Sequence, residues 1–411
     1  MVRDGLFSCP ALGGLAIAQA CCKRGFMHTL VKNHGISITM FSQPDHARFL
    51  PLAQLQALIA QLMQLGYQCL GPAVENGAIV MRELDAPDGL PRGLQAEQAA
   101  GRYRLTRDPL NRYFAWANGP QAIKPQAFAP KESLWRVERD DAGALQFAAV
   151  EPAAPAQAIV GVRACDLAAL ALQDAHFMSE GRRDAHYAKR REQLFLVAVQ
   201  CAEPGATCFC ASTGDGPTPT AGYDLALAEL AEGFVAVAGS AKGNAVLDAL
   251  NLLPATPQQL DAARQQGQAA AATQTRTLPG RNLREALMSR LKHPRWDEVA
   301  VRCLACGNCT AVCPTCFCHA EADAPALDGQ SSRHERVWDS CFGESHGYLH
   351  GFNVRSDIRS RYRQWLTHKL ATWHDQFGRS GCVGCGRCIA WCPAGIDLTE
   401  EVAALTAGVQ R

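Results

Sequence analysis

Two segments near the C-terminal end of this chain share one cysteine pattern, C-x2-C-x2-C-x3-C-P. The first comprises Cys303, Cys306, Cys309, Cys313 and Pro314, and the second Cys382, Cys385, Cys388, Cys392 and Pro393. Three thiols at i, i+3 and i+6 wrap one side of a compact core in a tight loop. The fourth opens the next element, where proline cannot extend a hydrogen-bonded ladder. Gly307, Gly384 and Gly386 allow the backbone to come close to that core.

This spacing is the ligand run of cubane [4Fe–4S] clusters in bacterial ferredoxins, where the fourth cysteine serves the other cluster. Cys303, Cys306, Cys309 and Cys392 are therefore assigned to one cluster, and Cys382, Cys385, Cys388 and Cys313 to a second. Structural zinc is the competing use of such thiols. It is normally held by paired C-x2-C knuckles with four ligands in all, whereas each set here is complete and ends in Cys-Pro.

The chain has 411 residues, 19 of them cysteine, and a formal net charge of +1. A near-neutral balance gives no reason to expect nucleic acid as a partner. A chain of this length is not a small secreted disulfide scaffold, so clustered cysteines read as metal ligands in a reducing compartment. The apolar run Leu12 to Cys22 precedes Lys23 and Arg24, the reverse of a signal peptide. No apolar stretch is long enough to span a bilayer. A cytoplasmic protein without a membrane span is expected.

The expected architecture is α+β, with an N-terminal and central α/β region followed by a helical two-cluster ferredoxin-like module. Residues 1–39 carry Cys9, Cys21 and Cys22 without cluster spacing and precede a second methionine, Met40. They read as an N-terminal extension. Residues 40–275 read as the α/β domain. Leu55, Leu58, Ile59, Leu62 and Leu65 recur at helical spacing, and two extended stretches flank a turn at residues 75–77. The proline- and aromatic-rich stretch 113–135 reads as loop. Residues 158–162, 167–177 and 193–199 suggest a β-α-β unit. Residues 254–280 read as a helix and a linker, which places the start of the cluster domain at 276.

Within that domain a helix is expected over 356–374, with Ile358, Tyr362, Trp365, Leu366, Leu370 and Trp373 buried. Its basic residues, Arg355, Arg359, Arg361, Arg363 and Lys369, read as a solvated face or as a docking surface for an acidic partner. Cys316, Cys318 and Cys341 have no cluster spacing and default to buried thiols.

A third set is legible upstream. Cys165 follows one expected strand and Cys201 the next, with Cys208 and Cys210 close behind. Parallel strands bring their C-terminal ends together, so these four thiols are candidates for a third [4Fe–4S] cluster, with packing as the alternative. Asp166 is a candidate ligand or neighbour of that site. No dinucleotide or P-loop fingerprint occurs. Residues 239–243 resemble a phosphate loop only loosely, and residues 343–347 match G-x-S-x-G without the strand and helix that a nucleophile elbow needs. Clusters do not accept hydride, so a partner is expected to supply that chemistry.

Several stretches taken together resemble the iron–sulfur β subunit of soluble, multi-subunit [NiFe] hydrogenases (sulfhydrogenases). The same family includes the corresponding iron–sulfur subunit of anaerobic sulfite reductase. The stretches are residues 161–169, 201–210, 222–226, 313–318, 338–341 and 382–400. The resemblance implies a non-catalytic electron-transfer subunit. It would connect a flavin and NAD(P)-binding subunit with the hydrogenase small subunit, and through it the large subunit, or with a sulfite reductase catalytic subunit. A redox sensor with no relay role is the alternative from another class.

Overall fold

The structure, a computed structural model, describes residues 46–408 apart from Asn118 and Ala122. The extension assigned to residues 1–39 lies outside them. The described chain begins with β1 (Ala47–Pro51), α1 (Leu55–Gln64), β2 (Gln68–Glu75) and β3 (Ala78–Glu83). A hairpin follows, β4 (Leu94–Ala99) and β5 (Arg102–Arg107), then α2 (Lys124–Ala127), β6 (Lys131–Arg139) and β7 (Leu145–Ala149). Next come β8 (Gln157–Val162), α3 (Ala164–Phe177), α4 (Ala185–Glu192), β9 (Leu194–Val199) and α5 (Cys210–Thr213). The sheet is completed by β10 (Leu225–Glu229), β11 (Gly233–Ala238), α6 (Ala241–Ala249), β12 (Leu253–Pro254) and α7 (Pro257–Ala272).

The eight-stranded sheet has the order β12-β1-β11-β10-β9-β8-β2-β3. Strands β2, β8, β9 and β10 run parallel at its centre, and antiparallel pairs close both sides. Every residue of β9 and β10 is buried, as expected for parallel strands covered on both faces. Leu55, Leu58, Ile59 and Leu62 of α1 pack on one face with Phe195, Val197 and Phe234. At about 25 cal/mol per Å² of apolar area, burial of this kind is the main favourable term in folding. The stretch expected to be loop contributes Phe114 and Trp116 to the same core.

The C-terminal region opens with α8 (Arg284–Met288), α9 (Arg295–Arg302) and α10 (Asn308–Ala311). It is not purely helical, which corrects the expected helical module. The hairpin β13 (His319–Pro325) and β14 (Ser331–Trp338) lies between the two cysteine repeats, and β14 pairs with β6. The resulting sheet, β13-β14-β6-β7, draws strands from both sides of residue 275. Buried charge holds this junction. Arg336 of β14 donates to Glu132 of β6 (2.5 and 3.1 Å) and pairs with Asp184, the N-cap of α4.

After a small hairpin, β15 (Tyr348–Leu349) and β16 (Phe352–Asn353), comes one long helix. It comprises α11 (Ile358–Thr367), a π turn (His368–Thr372) and α12 (Trp373–Phe377). Tyr362, Trp365, Leu366, Leu370 and Trp373 are buried as its apolar face. Its basic residues correct the expectation of a solvated or docking face. Arg361 is buried and donates to the carbonyls of Arg355, Phe342 and Ser356. Arg363 donates to the Leu291 carbonyl, Arg359 pairs with Asp297, and Lys369 points inward from the π turn. Arg361 and Arg363 satisfy carbonyls of irregular chain that would otherwise lack donors. The chain then passes through α13 (Arg387–Ala390) to α14 (Leu398–Thr406). No helix among the described residues is long and apolar enough to cross a membrane.

Candidate iron–sulfur sites

The two repeats fold alike. In the first, Ala305 and Gly307 take left-handed backbone angles (φ 50° and 74°) before α10 begins. In the second, Gly384 and Gly386 do so (φ 63° and 71°) before α13. The loops turn amides toward sulfur: Ala305 N–H donates to Cys303 Sγ (3.4 Å), Gly384 N–H to Cys382 Sγ (3.5 Å) and Ile396 N–H to Cys392 Sγ (3.4 Å).

Cys303, Cys306, Cys309 and Cys392 line one pocket, walled by Phe342, Tyr362 and Trp365. Cys388 of the other repeat also lines it. Burial pushes the Cys309 thiol far above its ordinary pKa, with Cys303 and Cys392 adding to the rise.

Cys313, Cys382, Cys385 and Cys388 are close electrostatic neighbours. Burial, and then the other three thiols, raise Cys388 well above its ordinary value, and burial pushes Cys382 up to about 12. Lys369 is the counter-charge here. Its Nζ donates to Cys313 Sγ (3.3 Å) and Thr315 Oγ1 (2.9 Å). Burial disfavours its charge, but Cys313, Cys316 and Cys382 outweigh it and raise its pKa.

The upstream thiols converge. Strands β8 and β9 are parallel neighbours, Cys165 lies in the first turn of α3, and Cys201 follows β9. Cys165, Cys201, Cys208 and Cys210 line one pocket, together with Arg163 and Cys385. Burial is the leading cause of the raised pKa of all four. Asp166 does not face this cavity. Its carboxylate pairs with Arg387 between Cys385 and Cys388 (2.8 and 2.9 Å), and both side chains are buried. This ion pair is not legible in sequence, because neither residue type implies a partner so far along the chain.

The glycines of the second repeat have a further reason. A Cβ on Gly384 would stand 2.5 Å from the Phe209 carbonyl carbon, and one on Gly386 2.4 Å from the Thr207 carbonyl oxygen. Phe209 N–H donates to the Gly384 carbonyl (2.8 Å). The loop bearing Cys208 and Cys210 is thus laid directly on the loop bearing Cys385.

The cysteines without cluster spacing stand near other thiols. Cys316 is an electrostatic neighbour of Cys313, and Cys341 of Cys318. Cys341 is buried, while Cys316 and Cys318 are partly exposed.

These surroundings fit [4Fe–4S] clusters. Zinc at about 2.3 Å from each sulfur draws its ligands to one point. Among the described residues no three His, Cys, Asp or Glu side chains gather closely enough to hold one ion, and the thiols ring cavities instead. A buried thiol ionises unfavourably alone, and a metal core supplies the charge that compensates it.

Comparison with known proteins agrees. A family model described as a 4Fe-4S dicluster domain matches residues 302–396. The chain is an iron–sulfur protein that carries [4Fe–4S] clusters. It is 32% identical over 242 residues to sulfhydrogenase 2 subunit beta of Pyrococcus furiosus, covering 58% of this chain and 71% of that one. The chain belongs to this family of sulfhydrogenase β subunits, and its role is electron transfer. No solved structure matches it.

Proposed function

We propose that this chain holds three [4Fe–4S] clusters in series. It relays single electrons between the small subunit of a [NiFe] hydrogenase, whose large subunit carries out the hydrogen chemistry, and a flavin-containing, NAD(P)-reactive subunit. The cluster sets are Cys165, Cys201, Cys208 and Cys210; Cys313, Cys382, Cys385 and Cys388; and Cys303, Cys306, Cys309 and Cys392. The observation that carries this reading is a pair of shared walls. Cys385 of the middle set lines the upstream cavity, and Cys388 of the same set lines the downstream one. These shared walls support a serial order, with the Cys313, Cys382, Cys385 and Cys388 set between the other two.

When bound, the clusters supply one-electron storage. The chain's own residues hold, insulate and tune them. The Tyr362 and Trp365 side chains exclude water from the first cavity. Lys369 places a positive charge beside Cys313, which favours the reduced, more negative state there. Cys306 is exposed, flanked by the exposed Val301 and Leu304. This end of the row is the natural place for a partner to dock. Residues 40–275 supply the upstream set and residues 276–411 the other two, in a reducing, cytoplasmic setting.

The test is Cys388→Ser in the assembled complex. Transfer between NAD(P)H and the hydrogenase should be lost, while hydrogenase activity with an artificial dye acting at the small subunit survives. Equal loss of both would mean that the residue is structural and that no relay runs through this chain.

A further inference from the structure

The side chains around Cys303, Cys306, Cys309 and Cys392 are apolar apart from the thiols, with two exceptions. Tyr362 and Trp365 both line this pocket, and each carries one donor, a phenol O–H and an indole N–H. Among the described residues no charged side chain lines it. Tyr362 Oη and Trp365 Nε1 are buried, and neither has a hydrogen-bond partner among the described residues. The two residues are 2% and 5% exposed. A buried donor without a partner forfeits its bonds to water, so folds seldom leave one. Two in the wall of one pocket call for an acceptor there.

Packing fixes both groups. Tyr362 and Trp365 stand three residues apart on α11 and so share one face. Their rings pack on each other (centroids 5.4 Å apart) and on Phe342 (6.3 and 6.0 Å). Trp296 packs on Tyr362 (6.3 Å), and its own Nε1 donates to the Arg290 carbonyl (2.9 Å). The same aromatic group therefore satisfies an indole that does not line the pocket, and leaves open the two donors that do. Rings held this way keep their polar atoms in place without a rotamer search.

We propose that Tyr362 Oη–H and Trp365 Nε1–H are hydrogen-bond donors to the sulfur of the cluster held by Cys303, Cys306, Cys309 and Cys392. The inference rests on that ligand assignment. Cluster sulfur gains negative charge on reduction, so donors aimed at it favour the reduced state and raise the potential. The Cys313 set has the Lys369 cation beside it, and this set has two neutral donors instead. Because Cys306 of this set is exposed, the two donors tune the cluster nearest to a docking partner.

The experiment uses the anaerobic, cluster-loaded full chain as wild type, Tyr362→Phe and Trp365→Phe, with iron content, an EPR redox titration and electron–nuclear double resonance. Tyr362→Phe deletes one oxygen and should keep wild-type iron. It should lower the reduction equilibrium of one cluster about three- to tenfold, the worth of one neutral hydrogen bond. That is a downward shift of roughly 30–60 mV, at about 59 mV per tenfold for one electron. The other potentials should stay where they are. The reduced chain reconstituted in D2O should show a cluster-coupled deuteron that Tyr362→Phe lacks. Trp365→Phe should give a shift of the same sign, and where its smaller ring sheds iron, Tyr362→Phe decides alone. Full iron with every potential unmoved in Tyr362→Phe would overturn the inference and leave the clusters standing. An equal fall of all potentials would also overturn it, because that would mark a general loosening of the fold. A wild-type chain without iron and acid-labile sulfide would instead overturn the cluster reading itself.

Discussion

Replacing Arg387 with methionine should destabilise the protein strongly, and replacing Asp166 as well should restore much of the loss. The two side chains form an ion pair at 2.8 Å, 1% and 6% exposed, that ties α3 to the second cysteine repeat. Methionine keeps most of the volume of Arg387 but leaves the Asp166 carboxylate buried without its cation. Breaking a buried pair this way costs about 3–5 kcal/mol. Arg387 Nε also donates to the Gly119 carbonyl (3.2 Å), and losing that bond adds about 1 kcal/mol. Against a typical stability of about 5–15 kcal/mol, this loss of about 4–6 kcal/mol lowers the ratio of folded to unfolded chain roughly 10³–10⁴-fold. Anaerobic urea denaturation, followed by tryptophan fluorescence and cluster absorbance, reads this directly. Asp166→Asn combined with Arg387→Met removes both charges, so the cycle should show a coupling of about 2 kcal/mol or more. A single variant within about 1 kcal/mol of wild type, or an additive double variant, would refute the assignment of this pair as the joint between the two regions.

Gly384→Ala should disturb the middle and upstream sites together. It places a Cβ 2.5 Å from the Phe209 backbone in a left-handed conformation, at about 1–2 kcal/mol for the conformation alone. Cluster absorbance per chain should fall, whereas Gly378→Ala, with no atom within 4 Å, should keep it. Lys369→Met should lower the potential of one cluster by roughly 60–130 mV, the equivalent of a charge-assisted hydrogen bond of about 1.5–3 kcal/mol, as read by an EPR redox titration. Glu132 and Asp184 give an acid limit. Burial alone would raise their pKa values, but Arg336 outweighs it and holds both below the ordinary range. Their contribution is complete above the unfolded carboxylate values near 4 and is lost as pH falls through the depressed folded ones. Glu132→Gln should flatten that part of the stability profile.

The cysteine repeats are legible in sequence because thiol spacing within one loop is a local property. The parallel β8 and β9 are legible for a similar reason, since short runs of buried β-branched and aromatic residues bounded by cysteine declare themselves. The β13–β14 hairpin is not. Its residues are largely charged or small, with no alternation of large apolar side chains, and it is held by pairing with β6 and by Arg336 rather than by burying a face. The basic helix misleads because counting charge does not show direction. Arg361 and Lys369 turn inward to carbonyls and a thiol that only the assembled fold supplies. Likewise, Asp166 reads in sequence as a neighbour of the upstream thiols, although its partner Arg387 comes from the far end of the chain.

The most direct test of three clusters in series is anaerobic iron and acid-labile sulfide per chain, for wild type and for Cys208→Ser. Three cubanes predict about twelve of each for wild type and about eight for the variant. About eight in both would reduce Cys165, Cys201, Cys208 and Cys210 to packing, and zinc without sulfide would contradict the relay altogether.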